Sequence, residues 1–224
     1  MTPVVLIPAL LCDDALYGDA LAALGGGVEP HVLMSPKPVM GDSVADILDR
    51  APPLFVLVGT SYGGNLALEV ALAAPERVSA LWLMGCDPGG PAAGGPDLAA
   101  GLEATPDAVI GMLAGLVVHG DHAAAASVFR AMAGRVGGAA GAAQARASQG
   151  REAVTPRLGG LRMPALVLWG EDDALVPVAT GRALADALPH GRFNALPHCG
   201  HLPTLERPEA CAALFGDFLS EEKL

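Results

Sequence analysis

Short apolar runs alternate with segments of helical periodicity over most of the chain. The runs are rich in leucine and valine and nearly continuous, as in strands that are buried on both faces of a parallel sheet. With two weaker segments, they predict six strands, at residues 4–8, 31–35, 54–59, 78–85, 165–170 and 192–196. The predicted helices lie between and after them, at residues 14–24, 42–50, 61–74, 177–188 and 207–219.

The order of these elements predicts an α/β fold. A strand, a helix and a further strand in succession require right-handed crossovers, which build a mostly parallel sheet with helices on both faces. In such sheets the reactive groups lie beyond the carboxyl ends of the strands. The loops that follow the strands are therefore where candidate functional residues are expected.

The alternation breaks between residues 88 and 160, where the sequence predicts no strand. Thr105 followed by Pro106 is typical of a helix start, with proline at the first helical position. An Ala/Gly/Gln-rich stretch closes the segment and favours at best a weak helix. The helices predicted here lie at residues 106–118, 121–133 and, weakly, 134–150.

We interpret residues 88–160 as a helical lid inserted between the fourth and fifth strands. The α/β core would then consist of residues 1–87 and 161–224. Apolar side chains of the lid and of the loop after the first strand are candidate substrate contacts. They are Leu11, Met112, Leu113, Leu116, Val117, Phe129 and Met132. The alternative is a structural excursion in which the same side chains pack the insertion's own core.

The third predicted strand leads into the segment on which the functional prediction depends. Residues 59–63 fit the pattern G-x-S-x-G, in which a strand turns sharply into a helix. The turn strains the backbone of its central residue, Ser61, and exposes the side chain, while glycines two positions away avoid a clash. Free N–H groups at the helix start favour developing negative charge. The segment predicts a nucleophilic serine, although a plain strand–turn–helix gives the same pattern.

Composition and charge restrict the classes of function. The chain has 224 residues, 52% of them hydrophobic and 17% charged, which is typical of a folded globular protein. Its net charge of −11 and scattered basic residues argue against a nucleic acid partner. No apolar run reaches the ~18 residues of a membrane span, and the first residues lack the features of a signal peptide. We therefore expect a cytoplasmic protein with no membrane partner.

The cysteines and histidines of the chain are candidate metal ligands. Cys12, Cys86, Cys199 and Cys211 form no C-x-x-C pair and are expected to be free thiols in a reducing compartment. Residues 198–201 read H-C-G-H, but no second ligand cluster at zinc spacing accompanies them. The sequence therefore predicts no metal site.

Three loops at one end of the predicted sheet carry groups that can act together. Ser61 follows the third strand, acidic residues 171–173 follow the fifth, and His198 and His201 follow the sixth. A serine hydroxyl needs a base to remove its proton, and a carboxylate can orient an imidazole for that task. The set therefore predicts a triad of nucleophile, base and orienting acid.

These motifs resemble the α/β-hydrolase superfamily, in particular its esterase-like branch, over nearly the whole chain. The order serine, aspartate, histidine along the chain is also that of the superfamily. The resemblance implies that Ser61 is the nucleophile, His201 the general base and then acid, and Asp173 the orienting acid. The segments that carry it lie at residues 6–13, 59–64, 168–173 and 200–208.

The acid and the base each have an alternative. Asp172 departs from the superfamily's spacing after the fifth strand, and Asp87 follows the fourth strand, where some members place the acid. The superfamily pattern puts the base at the histidine that follows a glycine. His198 is therefore expected to be structural.

The resemblance also implies an oxyanion hole made of two backbone N–H groups, those of Tyr62 and Leu10. The loop after the first strand departs from the superfamily here, because Pro8 and Ala9 stand where a glycine-containing pair is usual. If position 9 needs a positive φ, the alanine would be strained there and the Leu10 donor displaced.

Together these features predict a cofactor-independent serine hydrolase that cleaves a small-molecule carboxylic ester through an acyl-enzyme. The same triad can instead act on a thioester, a lactone or a carbon–carbon bond next to a ketone. A haloalkane dehalogenase is disfavoured, because it would carry aspartate in place of Ser61. A further alternative is a ligand-binding receptor that keeps the fold without turnover.

Overall fold

A six-stranded parallel sheet forms the centre of the structure. The computed structural model describes residues 1–91, 94 and 96–224 of the chain. The strands are Thr2–Ile7 (β1), Val28–Val32 (β2), Phe55–Thr60 (β3), Val78–Met84 (β4), Ala165–Gly170 (β5) and Gly191–Leu196 (β6). They lie in the order β2-β1-β3-β4-β5-β6, and every neighbouring pair is parallel. The predicted α/β-hydrolase fold is confirmed.

Helices cover both faces of this sheet. They are Gly18–Leu24 (α1), Met40–Arg50 (α2), Tyr62–Ala73 (α3), Leu98–Ala104 (α4), Pro106–Ala114 (α5), Ala123–Gln149 (α6), Val178–Ala187 (α7), Pro203–Glu206 (α8) and Pro208–Glu221 (α9). Short 3-10 turns lie at Asp14–Leu16, Pro75–Arg77 and Thr155–Gly160. In the part of the chain that the structure describes, no helix combines the length and the apolar character needed to cross a membrane.

Two apolar cores, one on each face of the sheet, follow from the alternation of side chains along the strands. In β1, Val4 and Leu6 belong to one core, and Val5 and Ile7 belong to the other. Helices α1 and α9 pack on the first core, and α2, α3 and α7 pack on the second. Burial on both faces explains why the strands are nearly continuous apolar runs.

Several elements differ from the prediction, among them β2, α4 and α5. Strand β2 begins at Val28, earlier than predicted, and contains Pro30, which a sheet tolerates because β2 is an edge strand. Helix α4 was not predicted, because its alanines and glycine give no clear periodicity. Helix α5 ends at Ala114 rather than at 118.

Helices α4, α5 and α6 lie between β4 and β5 in the chain, where the lid was predicted. Residues 92, 93 and 95 of the predicted insertion lie outside the described residues. Helix α6 continues through the stretch that was predicted to be only weakly helical. It is interrupted at Gly137, whose φ of 80° and ψ of 158° are not helical.

Candidate active site

The turn between β3 and α3 has the geometry that its glycines predict. Ser61 has φ 56° and ψ −119°, a strained conformation for an L residue. A Cβ on Gly59 would overlap the backbone of Gly63, and a Cβ on Gly63 would overlap the carbonyl group of Ile7. Only glycine fits at either position, so the turn holds Ser61 directly at the start of α3.

A buried histidine–aspartate pair follows the ends of β5 and β6. His201 Nδ1 lies 2.7 Å from Asp173 Oδ2, and the two side chains are 3% and 1% exposed. The other oxygen of Asp173 accepts hydrogen bonds of 2.9 Å from the backbone N–H groups of Leu175 and Val176. Because an ionised carboxylate can only accept, Nδ1 of His201 carries a proton and Nε2 is left to act as a base.

Ser61 and His201 line the same cavity, which has a volume of about 290 Å³. Gly85, at the end of β4, packs against the imidazole, since a Cβ there would lie 3.0 Å from His201 Cε1. Among the described residues, no hydrogen bond joins Ser61 Oγ to His201. Such bonds are commonly long without substrate and tighten in the substrate complex. The structure thus brings all three predicted triad residues to one region of the sheet edge.

Within the described part of the chain, two backbone N–H groups at this cavity have no acceptor. Tyr62 is the first residue of α3, so its N–H has no partner within the helix. The N–H of Leu10 donates to no acceptor in the described ranges, and both residues line the cavity. The positive φ of the loop after β1, which was predicted to supply an oxyanion donor, falls on Leu11, at 63°, and not on Ala9. Ala9 therefore does not carry the backbone strain that a positive φ would impose.

A side chain of α6 holds this loop in place. The N–H of Leu11 donates a 3.0 Å hydrogen bond to Oε1 of Gln144, which is 2% exposed. A second bond, from Cys12 N to the oxygen of Ala9 at 3.0 Å, closes the turn. Sequence reasoning missed Gln144, although a lone uncharged polar residue among alanines and glycines was a usable signal.

A buried carboxylate ties the histidine loop to the segment after α5. Glu206 is 5% exposed. Its Oε2 accepts the N–H groups of His119 at 2.8 Å and Gly200 at 2.9 Å, and its Oε1 accepts that of Leu202 at 3.3 Å. Glu206 thus binds the two backbone N–H groups that flank His201 and one from the segment after α5.

Three of the predicted apolar contacts line the cavity: Leu113, Val117 and Phe129. Leu113 belongs to α5 and Phe129 to α6, and Val117 accepts the N–H of His201 at 3.2 Å through its carbonyl oxygen. The insertion therefore supplies an apolar wall of the cavity and contacts the histidine loop directly.

The other four predicted contacts lie elsewhere. Met112 and Leu116 are 50% and 38% exposed and line an adjoining outer groove. Leu11 and Met132 are fully buried, and the structure does not bring their side chains to the cavity. Both pack in the core that the insertion shares with the sheet, where a side chain cannot reach a substrate without unpacking.

The polar wall of the cavity consists of Asn65, Asp87, Ser148 and Arg151. Asp87 was named from the sequence as an alternative acid, whereas the other three were missed. The guanidinium of Arg151 donates to the carbonyl oxygen of Ser148 at 2.8 Å and to that of Asp87 at 3.4 Å. Its Nε is buried without a partner among the described residues. Burial lowers the pKa of Arg151, and the nearby Asp87 opposes that shift. The sequence did not predict this wall, because Arg151 follows an Ala/Gly/Gln-rich stretch with no clear hydrophobic periodicity.

The alternative acids do not contact the imidazole of His201. Asp87 Oδ1 accepts the N–H of Gly89 at 2.8 Å, within its own loop. Asp172 is exposed and lies 3.9 Å from Nε2 of His119. The 2.7 Å contact of His201 in the described chain is to Asp173.

The cysteines offer no competing nucleophile. All four are free and buried, and burial raises the pKa of Cys86 and of Cys211 to about 12. A thiol with such a pKa is protonated near neutral pH and is a poor nucleophile.

Comparison with known proteins identifies the family. The sequence profile of the alpha/beta hydrolase family matches residues 13–214. The chain belongs to the alpha/beta hydrolase family. The resemblance inferred from the motifs is therefore confirmed.

The names of relatives of this chain mention several kinds of substrate. A 2-hydroxy-6-oxononadienedioate/2-hydroxy-6-oxononatrienedioate hydrolase of Dechloromonas aromatica (strain RCB) is 32% identical over 178 residues, 73% of this chain and 61% of that protein. The chain thus spans about three fifths of that relative's length. A pimeloyl-(acyl-carrier protein) methyl ester esterase of Aromatoleum aromaticum is 30% identical over 196 residues, 76% of each chain.

Solved structures share the fold of this chain. A thermophilic esterase from Thermogutta terrifontis superimposes with a TM-score of 0.88 at 21% identity, over 100% of this chain and 91% of the other. The enol-lactonase from Burkholderia xenovorans LB400 gives a TM-score of 0.85 at 22% identity, over 98% and 91%. At sequence identities this low, the similarity shows a shared fold and nothing further.

Proposed function

We propose that this hydrolase cleaves a small-molecule carboxylic ester through an acyl-enzyme intermediate, without a cofactor. The observation that carries the proposal is the buried pair of His201 and Asp173, whose imidazole lines the same cavity as the strained Ser61. The pair leaves Nε2 of the imidazole as a base, and the turn presents a hydroxyl at a helix start.

In this mechanism, Nε2 of His201 takes the proton of Ser61 as Oγ attacks the ester carbonyl. The N–H groups of Leu10 and Tyr62 stabilise the oxyanion, and loss of one such donor costs about 2.7–4 kcal/mol of transition-state stabilisation. Asp173 stabilises the imidazolium, which then protonates the departing alcohol. A water molecule activated by the same nitrogen hydrolyses the acyl-enzyme.

We propose further that the substrate carries a carboxylate away from the scissile bond. Arg151 supplies a positive charge on the polar wall, and its Nε lacks a partner among the described residues. The guanidinium geometry suits a carboxylate. The dienedioate in the names of two relatives carries carboxylates and is consistent with such a substrate. Residues 88–160 would act as the lid that closes the apolar side of this cavity.

A second candidate is hydrolysis of a carbon–carbon bond next to a ketone. The relatives named for 2-hydroxy-6-oxononadienedioate support it, since the named compound carries a ketone and carboxylates but no ester. The same serine, base and oxyanion donors would act on the ketone carbonyl.

Covalent labelling combined with a substrate panel tests both candidates. A fluorophosphonate is expected to label Ser61, and p-nitrophenyl esters with and without a terminal carboxylate are expected to be hydrolysed. Ser61→Ala should abolish both, whereas Ser220→Ala, at an exposed serine of α9, should leave both unchanged. Hydrolysis that survives Ser61→Ala would refute the mechanism.

The panel also separates the candidates. A kcat/KM at least tenfold higher on an oxo-dienedioate than on any ester would favour carbon–carbon hydrolysis. Labelling of Ser61 without turnover of either class would favour the ligand-binding receptor instead.

A further inference from the structure

Three potential metal ligands from distant parts of the chain meet beside the catalytic loops. His119 follows α5, Asp172 follows β5, and His198 follows β6. One ligand atom from each lies within 4.8 Å of the other two. The sequence alone predicted no metal site, because His119 is far from the H-C-G-H segment and became its neighbour only through folding.

The donors suit a borderline transition metal such as Zn²⁺. Imidazole nitrogens and carboxylate oxygens bind Zn²⁺ at about 2.0–2.2 Å, which separates ligand atoms by about 3.4 Å in a tetrahedron. His119 Nε2 and Asp172 Oδ2 are 3.9 Å apart. Asp172 and His198 are exposed, and His119 is half-buried. Side-chain rotations that move the ligand atoms by about 1 Å can therefore complete the coordination without unpacking the core.

The surroundings hold one ligand in place and favour a cation. The backbone N–H of His119 is bound by the buried carboxylate of Glu206 at 2.8 Å, so the residue is anchored independently of its ring. Asp121 Oδ2 lies 3.7 Å from the other ring nitrogen of His119, beyond hydrogen-bond distance, and adds negative charge that favours a cation. His122 Nε2 contacts the carbonyl oxygen of His198 at 3.0 Å.

We propose that His119, Asp172 and His198 form a Zn²⁺ site that joins the segment after α5 to the loops of the histidine–aspartate pair. Water fills the fourth position. Asp172 directly precedes Asp173, and His198 lies on the same loop as His201. A bound ion therefore fixes the lid segment onto both loops. The binding itself does not depend on the proposed esterase function.

Metal titration of the full chain tests the site without any substrate. Isothermal titration with Zn²⁺ is expected to show one equivalent bound, and the melting temperature should rise because the ion binds only the folded chain. Co²⁺ in place of Zn²⁺ should give the intense visible absorption of a tetrahedral nitrogen- and oxygen-ligated ion.

Two variants remove ligands with little risk to the fold. His119→Gln keeps the backbone bond to Glu206, and His198→Asn suits the φ of 51° at that position. Each should weaken Zn²⁺ binding at least tenfold, by analogy with the cost of losing even an outer ligand contact. His190→Gln, at an exposed histidine beside the start of β6, is the matched control and should bind like the parent.

The outcomes are decisive. Parent-like binding by both ligand variants, or no binding by the parent below about 1 mM Zn²⁺, overturns the proposal. Binding that is lost only with His201→Ala would place the ion on the catalytic imidazole and also overturn it. Weakened binding in both ligand variants with unchanged apo melting temperatures supports it.

Discussion

Glu206 offers a stringent test of how the histidine loop is held. In Glu206→Ala, three N–H groups lose their acceptor: those of His119, Gly200 and Leu202. A hydrogen bond to a charged group contributes about 1.5–3 kcal/mol. The three bonds share one carboxylate and are not additive. We therefore expect a loss of about 3 kcal/mol in the free energy of unfolding.

Urea denaturation measures this loss directly. With a slope near 3 kcal/mol per M, a loss of about 3 kcal/mol lowers the midpoint by about 1 M. Glu206→Gln keeps one acceptor oxygen but places an amide N–H₂ towards one donor, so an intermediate loss is expected. Glu209→Ala is the control, because Glu209 is an exposed carboxylate in the first turn of α9.

Activity provides a second measurement on the same variants. Because the loop carries His201, its displacement should lower kcat for the ester substrates more than it raises KM. An unfolding free energy of Glu206→Ala within about 0.5 kcal/mol of that of Glu209→Ala would refute the reasoning. It would show that other contacts, such as the bond from His201 N to the oxygen of Val117, suffice to hold the loop.

Three further outcomes are expected. Tyr17→Phe should cost about 1–2 kcal/mol in urea unfolding, because its buried hydroxyl donates to the end of β1 at 2.8 Å. Gln144→Leu should lower kcat about tenfold with little change in KM, since it frees the Leu11 N–H of the oxyanion loop; Gln144→Glu, which keeps the acceptor, should restore it. Burial raises the pKa of Asp13, but its bonds from Arg135 and from a backbone N–H outweigh burial and hold that pKa below its usual value. The pair therefore stabilises the fold at pH values above the usual carboxyl pKa, and the difference between the parent and Asp13→Asn in urea should vanish as pH falls through the folded pKa.

Features with a local cause were predictable from the sequence. Strand β5 was predicted at residues 165–170 and lies at Ala165–Gly170, because a buried parallel strand must be continuously apolar. The elbow at Ser61 follows from steric exclusion of any side chain at the flanking glycines. Asp173 and His201 could be placed together because the carboxyl ends of parallel strands share one edge of the sheet.

Features that depend on contacts between distant residues were not predictable. The bond from His119 to Glu206 joins residues 87 positions apart, and that from Leu11 to Gln144 joins residues 133 apart. No periodicity relates such pairs, and either partner alone looks like an ordinary surface residue. Arg151 was missed for the same reason, since its place in the cavity depends on how the preceding helix packs.

The second half of α6 shows how composition misled the prediction. Glycine in a helix costs about 1 kcal/mol relative to alanine, so residues 134–150 appeared unable to form a stable helix. In the structure, a Cβ on Gly141 would overlap the side chain of Leu11, and Gly137 breaks the helix just before this contact. The glycines therefore allow the helix to redirect and to approach the oxyanion loop closely enough for Gln144 to bind it. Their propensity cost is offset by tertiary contacts, and the composition that gave no local signal is what brings the insertion to the active site.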